Sequence, residues 1–358
     1  MRDKDYWKKR GEDNVLQSEK SVVEFETDLM TAYDIALASV RKEIDAFFGK
    51  YARQNKIPYA DVRKKLLQGE FTEFNTLLRE WYQLANELGM DSNYIAYLEQ
   101  LGKRVYLTRL ESLEANIQFH IEKLKAVQNN GMTALLMVNY AASYYNTYFN
   151  LAQGIEVAVR FDAIDDVGVR NAVKTKWEGK NYSDRIWSDK TALIASLKTI
   201  IPQSFSRGFN SNKLGDMIAN ATGVSKKRAR ALARTEVNNI ANQGAIDMYK
   251  AAGVIKYEYL ATLDMRTSDI CRDLDGYIGT VALAVVNVNY PPMHVNCRST
   301  TVPYFEKDIV TTRVAKDENG KNILVPRRMT QEEWIKKYVP EDQQEKMLQF
   351  RGKYRPVE

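Results

Sequence analysis

From Val22 the apolar positions fall three or four residues apart, through Phe25, Leu29, Tyr33, Leu37, Val40 and Ile44 to Phe47. That spacing lays a single stripe along a helix. Gly49 follows at the place where a glycine commonly ends one. Pro58 suits a first helical position, and Gly69 and Gly89 punctuate two further helical segments. A long helix is expected over 104–128, broken by Asn129-Asn130-Gly131. Residues 133–153 then read as a separate helix with Tyr140, Tyr144, Tyr145, Tyr148 and Phe149 at helical spacing. These aromatics suit core packing; the alternative is a docking face for a partner helix.

A second helical region begins near Ser183. Ser183 is expected to cap a helix bearing Ile186, Trp187, Leu193 and Leu197. Ser225 is expected to cap another, running through Ala233, Val237 and Ile240 to a stop at Gly253. The pattern then changes, because IKYEYLATL (255–263) alternates apolar and polar residues and is rich in β-branched and aromatic side chains, as a strand is. A last short strand is expected near Thr300 to Tyr304. Farther on, NILVP reads as extended, and Thr330-Gln331-Glu332-Glu333 has capping-box spacing before a short helix.

The fold class is therefore α+β and predominantly helical. It comprises an N-terminal helical region at 1–155, a second helical part at 156–254, a small β-containing module at 255–306 and a charged tail with a short helix at 307–358. Eight prolines and 18 glycines in 358 residues favour long helices over a turn-rich β fold.

Charge adds little that is decisive. Fifty-two basic against 46 acidic residues leave a net charge of +6, which tolerates nucleic acid without demanding it. Two cysteines make no disulfide framework. The apolar runs Ala134–Val138 and Val281–Val286 fall far short of the roughly 20 residues that span a bilayer, so no membrane association is expected. Synthesis in a reducing cytoplasm fits both observations.

Chemistry-bearing residues concentrate in TLDMRTSDICRDLDG (262–276) and PPMHVNCRSTTVPYF (291–305). Cys271, His294 and Cys297 stand as C-x22-H-x2-C. The H-x-x-C step lets two side chains reach one metal, and thiolate with imidazole suits zinc. Asp264, Asp273, Asp275 or water would complete the shell. Two buried thiols beside a hydrogen-bonded histidine, or a Cys271–Cys297 disulfide, are the other readings. The alternating charges Asp264, Arg266, Asp275 and Arg298 suggest a polar network pinning the two segments together, with Glu236 of the preceding helix as a further partner.

Lys226, Lys227, Arg228, Arg230 and Arg234 put five cations into nine residues of one helix. They form either a solvated face or a contact for DNA phosphates or an acidic partner. There is no H-x-E with P-C-x-x-C, no H-E-x-x-H and no phosphate-binding glycine loop. His120 reads as a helix-face residue.

The two motif segments, in this order, resemble the signature of the phage head morphogenesis family, the Mu F-like minor head proteins. The stretches 181–190, 233–245 and 249–264 resemble it too. The family carries further cysteines in these motifs; Ser299 and Ser268 stand near such places here. The resemblance implies a structural minor head protein of a tailed phage. It would bind near the portal inside the procapsid and assist head assembly, DNA packaging or DNA exit. Implied partners are the portal protein, then scaffold or major capsid protein, with sequence-independent DNA contact; the implied location is the head interior of the virion. The competing function is a metal-dependent hydrolase or nucleotide-modifying enzyme using Cys271, His294 and Cys297. It requires a pocket joining the Glu236 helix to both motif loops.

Overall fold

The computed structural model describes residues 4–51, 57–155, 164, 166–305, 312–316, 322–326 and 331–338. The chain is predominantly helical with a small antiparallel sheet, as its residue pattern predicts. It divides into two units. One comprises Glu24–Thr133 and Glu178–Arg230; the other comprises Met1–Val23, Ala134–Trp177 and Ala231–Glu358. Three long helices, α1 (Lys4–Tyr51), α5 (Arg109–Ile155) and α8 (Ser211–Ala251), contribute residues to both.

The first unit is helical. Besides its shares of those three it holds α2 (Tyr59–Val62), α3 (Gln68–Glu87), α4 (Ser92–Gly102) and α7 (Tyr182–Ser206). The α1 stripe packs as its periodicity requires: Val40, Ile44, Phe47 and Phe48 meet Ile117 and Ile121 of α5, Leu197 and Phe205 of α7, and Leu214 and Ile218 of α8. A second core joins α3 and α4 to α5, where Trp81 stacks on Phe119 at 4.7 Å.

Gly49 does not end α1. Phe47 packs on Tyr51 and on Phe205 in the last turn, and that burial outweighs the roughly 1 kcal/mol a helical glycine costs. Nor does Asn129-Asn130-Gly131 break a helix, since α5 runs unbroken for 47 residues. A Cβ on Gly131 would stand 2.9 Å from the Phe25 ring, so this glycine is there for close packing. The two caps also move. Helix α7 is capped by Asn181, which exchanges hydrogen bonds with Asp184, and Ser225 lies inside α8. Gly253, at φ +71°, does stop α8.

The second unit holds the remaining parts of α1, α5 and α8, together with α6 (Asp166–Lys174), α9 (Asp269–Leu274) and α10 (Gln331–Tyr338). Its main sheet has the order β2-β1-β3, with β1 (Lys256–Leu260) antiparallel to both β2 (Ile278–Thr280) and β3 (Thr300–Tyr304). Tyr257, Tyr290, Val302, Tyr249 and Trp7 form one core, and Tyr259, Cys271, Leu274, Met293 and Cys297 another. A separate hairpin pairs β4 (Thr312–Lys316) with β5 (Asn322–Pro326), the NILVP segment. Thr330, the expected cap of α10, lies outside the described residues.

Helices α5 and α8 approach closely at Gly244, where an added Cβ would stand 2.6 Å from the Tyr140 carbonyl oxygen. The Ser143 hydroxyl donates to the Ala241 carbonyl in the same contact. Gly244→Ala is expected to destabilise the protein by about 1–3 kcal/mol, because a backbone atom cannot step aside. Gly223→Ala, on the same helix with open space around it, should be neutral or stabilise by up to about 1 kcal/mol. Urea midpoints of the two variants test the contrast; equal midpoints would remove the crossing argument.

Among the described residues no helix is long and apolar enough to cross a membrane.

Candidate functional site

The two motif segments meet. Ser268 caps α9, its hydroxyl accepting from the Cys271 amide, and this sets Cys271 in the first turn. The second segment makes a tight turn in which the Cys297 amide donates to the His294 carbonyl at 3.1 Å. Asn296 supplies the left-handed residue of that turn at φ +62°, a conformation asparagine tolerates better than most. Its amide donates to the Thr235 hydroxyl of α8 at 2.9 Å, anchoring the turn. The H-x-x-C spacing thus brings both side chains to one side of a turn.

Three ligand-type atoms converge. Cys271 Sγ lies 3.3 Å from His294 Nε2 and 3.7 Å from Cys297 Sγ, and all three atoms fall within 4.8 Å of one another. Cys271 and Cys297 are free thiols, both buried. His294 Nδ1 faces the Val295 carbonyl at 2.9 Å. A proton on Nδ1 donated to that carbonyl leaves the Nε2 lone pair directed at the sulfurs, the tautomer a metal-ligating histidine needs. Ser268 Oγ sits 2.7 Å from Nε2, and the Tyr259 hydroxyl donates to Cys271 Sγ at 3.3 Å.

The electrostatics follow from one shared hydrogen bond. Donation from Cys271 pulls the Cys297 thiol well down, against the opposing effect of burial. The same bond, with burial, pushes the Cys271 thiol up. The hydrogen bond with Cys271 also lifts His294 above its usual value although burial opposes it. Cys297 is the sulfur that first becomes a thiolate, the form that binds metals.

The charged residues brace the same two segments. Arg298 grips Asp264 with both terminal guanidinium nitrogens, Nη1 donating to Oδ2 at 2.5 Å and Nη2 to Oδ1 at 2.7 Å. Burial pushes the Asp264 carboxyl up, but the hydrogen bonds and charge of Arg298 outweigh it and hold it below the usual carboxylate range. The Arg266 amide donates to Asp264 at 2.9 Å, while its exposed side chain lies 3.7 Å from the same carboxylate. The Thr262 hydroxyl donates to the Arg298 carbonyl, a further tie between the segments. Asp275 accepts from the Ala261 amide at 3.0 Å and Glu236 accepts from the Trp177 indole at 3.0 Å; neither of these two bonds joins the two segments, unlike the role expected of both residues. Among the described residues the metal-type cluster comprises the two cysteines and the histidine, with none of the three aspartates considered as fourth ligand in it.

The basic stretch of α8 is ion-paired over much of its length. Lys226 pairs with Asp34 at 2.6 Å, Arg228 with Asp189 at 3.2 Å and Arg230 with Glu26 at 3.3 Å. Lys227 is exposed. Arg234 belongs to the other unit, on the wall of a cavity there. His120 lies 3.7 Å from Glu43 on the helix surface.

A second polar cluster escapes sequence reasoning. The Lys125 ammonium, fully buried in the helical unit, reaches Tyr33 Oη at 2.6 Å, Ser225 Oγ at 2.8 Å, Asp189 Oδ2 at 2.9 Å and Gln128 Oε1 at 3.1 Å. Its only trace in the sequence is that Lys125 and Gln128 continue the core spacing of Ile117 and Ile121.

Residues 195–302 match the family described as Phage Mu protein F like protein. The match includes Cys271, His294 and Cys297. No curated protein and no solved structure matches the chain.

Proposed function

We propose, for a chain that belongs through residues 195–302 to the phage Mu F-like head morphogenesis family, a structural role as minor head protein at the portal of the procapsid. The observation that carries this reading is the way the two motif segments of the family region close on each other. Arg298 and Asp264 saturate one another, and Cys271, His294 and Cys297 converge with Ser268 and Tyr259 around them. Side chains spent on each other make a rigid brace, and a brace suits a protein whose work is holding contacts in an assembly. The portal protein is the first partner, with scaffold or major capsid protein next, and the head interior is the location.

Zinc at Cys271, His294 and Cys297 would strengthen the same brace by cross-linking α9 to the 294–297 turn. Its chemistry there is structural: it would hold two thiolates and one imidazole and fix the spacing of the loops.

The metal-dependent hydrolase reading has one feature in its favour, since a cavity does touch both motif segments. Against it, Glu236 lies off the cavity wall and accepts from Trp177, and Cys271 is buried away from that wall. DNA contact through α8 is weakened because Lys226, Arg228 and Arg230 already have carboxylate partners.

Co-expression with a phage portal protein from the same genome is the direct test. The chain is expected to co-purify with the portal and to enter procapsids in low copy. A soluble, folded chain that does neither would overturn the portal reading.

A further inference from the structure

The C-terminal part of α5 is uncharged: no Asp, Glu, Lys or Arg stands between Lys125 and Glu156. Helix surfaces that face water ordinarily carry charge. Here, within the sheet-bearing unit, it is the polar residues that form the buried face. Asn139, Ser143, Thr147 and Asn150 are all buried. The Ser143 hydroxyl donates to the Ala241 carbonyl of α8, Asn139 exchanges hydrogen bonds with Ser21 of α1, and the Asn150 carbonyl accepts from the Tyr6 hydroxyl.

The opposite side of the helix is apolar. Ala134, Val138, Ala141, Tyr145, Phe149 and Ala152 recur three or four residues apart, half a turn round from Ser143. Val138 is 65% exposed, Phe149 51% and Tyr145 37%, and Ala134 is exposed with them. The Tyr145 hydroxyl accepts from the Ile164 amide at 3.3 Å and its ring meets Tyr144 edge-on, so the side chain has a fixed place on this surface. The stripe is about five turns, roughly 27 Å, long. A helix that buries its polar side and leaves its apolar side in water presents an association surface.

Side-chain size is graded along the stripe. Its N-terminal half carries Ala134, Val138 and Ala141, and both rings, Tyr145 and Phe149, lie in the C-terminal half. Two such stripes laid antiparallel about a two-fold axis near residue 143 set Tyr145 against Ala141 of the second copy and Phe149 against its Val138. Ala134 then meets Ala152 at either end, where small side chains let the backbones come close. Rings enter spaces left by smaller residues on both sides of the axis, as a self-complementary interface requires. Laid parallel, the same stripes put ring on ring and leave alanine facing alanine across a gap. A different protein finds no charge here by which to be selected, whereas a second copy needs only the matching shape.

We infer that two copies of this chain associate through the exposed stripes of α5 as an antiparallel, two-fold symmetric helix pair. The inference goes beyond the head-assembly reading and stands or falls independently of it. One helix pair of this length makes a small interface, so the expected affinity is micromolar.

Sedimentation equilibrium of the full chain up to about 100 µM tests it. A monomer–dimer equilibrium is expected, little changed by added sodium chloride because no ion pair takes part. Phe149→Ala should weaken dimerisation by about tenfold or more, and Val138→Glu should abolish it by burying an unpaired charge. Leu283→Glu, at an exposed apolar position outside the stripe, should leave it unchanged. Orientation is read from a disulfide: Ala134→Cys and Ala152→Cys chains, mixed under mild oxidation, should join to each other and little to themselves. A parent chain that stays monomeric at the highest concentration overturns the inference. So do Phe149→Ala and Val138→Glu chains that dimerise as the parent does, or a Leu283→Glu chain that is weakened equally. Same-site disulfides in place of mixed ones overturn the antiparallel pairing. A monomeric parent whose binding to the portal protein is lost in Val138→Glu would give the stripe to that partner instead, and the inference falls. Phe149→Ala keeps the test decisive should Val138→Glu fail to fold.

Discussion

Replacing Lys125 with alanine is expected to cost the protein about 3–5 kcal/mol, the usual result of removing one partner from a buried ion pair. Lys125 has no exposed surface, and its ammonium donates to oxygens of Tyr33, Gln128, Asp189 and Ser225. Removing the ammonium strands Asp189, whose side chain is 14% exposed and keeps, among the described residues, the Arg228 ion pair and the Ser225 hydroxyl. Burial alone would raise the Asp189 carboxyl, and it is the Lys125 charge that chiefly brings it below its ordinary value. Because the folded value is depressed, this stabilisation is complete above the unfolded carboxylate value of about 3.9 and is lost as pH falls through the lower folded value. The double change Lys125→Met with Asp189→Leu should recover much of the loss, since apolar isosteres of a buried pair are often neutral. Urea unfolding of the parent and the two variants at neutral pH measures this. A Lys125→Ala midpoint within about 0.5 kcal/mol of the parent, the range of ordinary surface changes, would mean the cluster holds nothing together.

That cluster marks where sequence reading reached its limit. Signals confined to one segment were legible: the alternation of β1, the stop at Gly253 and the H-x-x-C turn. Each depends on backbone geometry over a few residues. Charge alternation pointed to a tie between the two segments through Asp264, Arg266 and Arg298, and the pairing of Arg298 with Asp264 supplies one. What misled was any residue whose local preference is overruled by a distant neighbour. Gly131 looks like a helix terminator but accommodates Phe25 from another helix, and Ser225 looks like a cap but gives its hydroxyl to Asp189. The cavity was invisible for the same reason. Arg10 and Arg234 are 224 positions apart, and nothing within either segment says they share a wall.

Protein purified without chelators is expected to carry about one zinc per chain, and removing it should lower the melting temperature of the sheet-bearing unit. In a tetrahedral zinc site, Zn–S of about 2.3 Å and Zn–N of about 2.0 Å set the sulfurs about 3.8 Å apart and sulfur from nitrogen about 3.5 Å. Two of the three separations, 3.7 Å between Cys271 and Cys297 and 3.3 Å between Cys271 and His294, lie within about 0.2 Å of those values, and Cys297 and His294 lie within 4.8 Å of each other. A thiol–imidazole hydrogen bond gives a similar separation, so the zinc content of the protein is what distinguishes the two. The Val295 carbonyl, in fixing the Nδ1 proton, supplies the outer hydrogen bond that metal-ligating histidines generally make. The fourth position is left to water or to Ser268 Oγ, because Asp264 is held by Arg298 and Asp275 by the Ala261 amide. Cys297→Ser should therefore abolish zinc retention, His294→Gln should weaken it, and Ser268→Ala should leave the stoichiometry intact while water takes its place. Elemental analysis of the four proteins reads this directly. Metal-free parent protein, or a Cys297→Ser variant that keeps its zinc, would reduce the three residues to a hydrogen-bonded cluster and leave the brace to Arg298 and Asp264 alone.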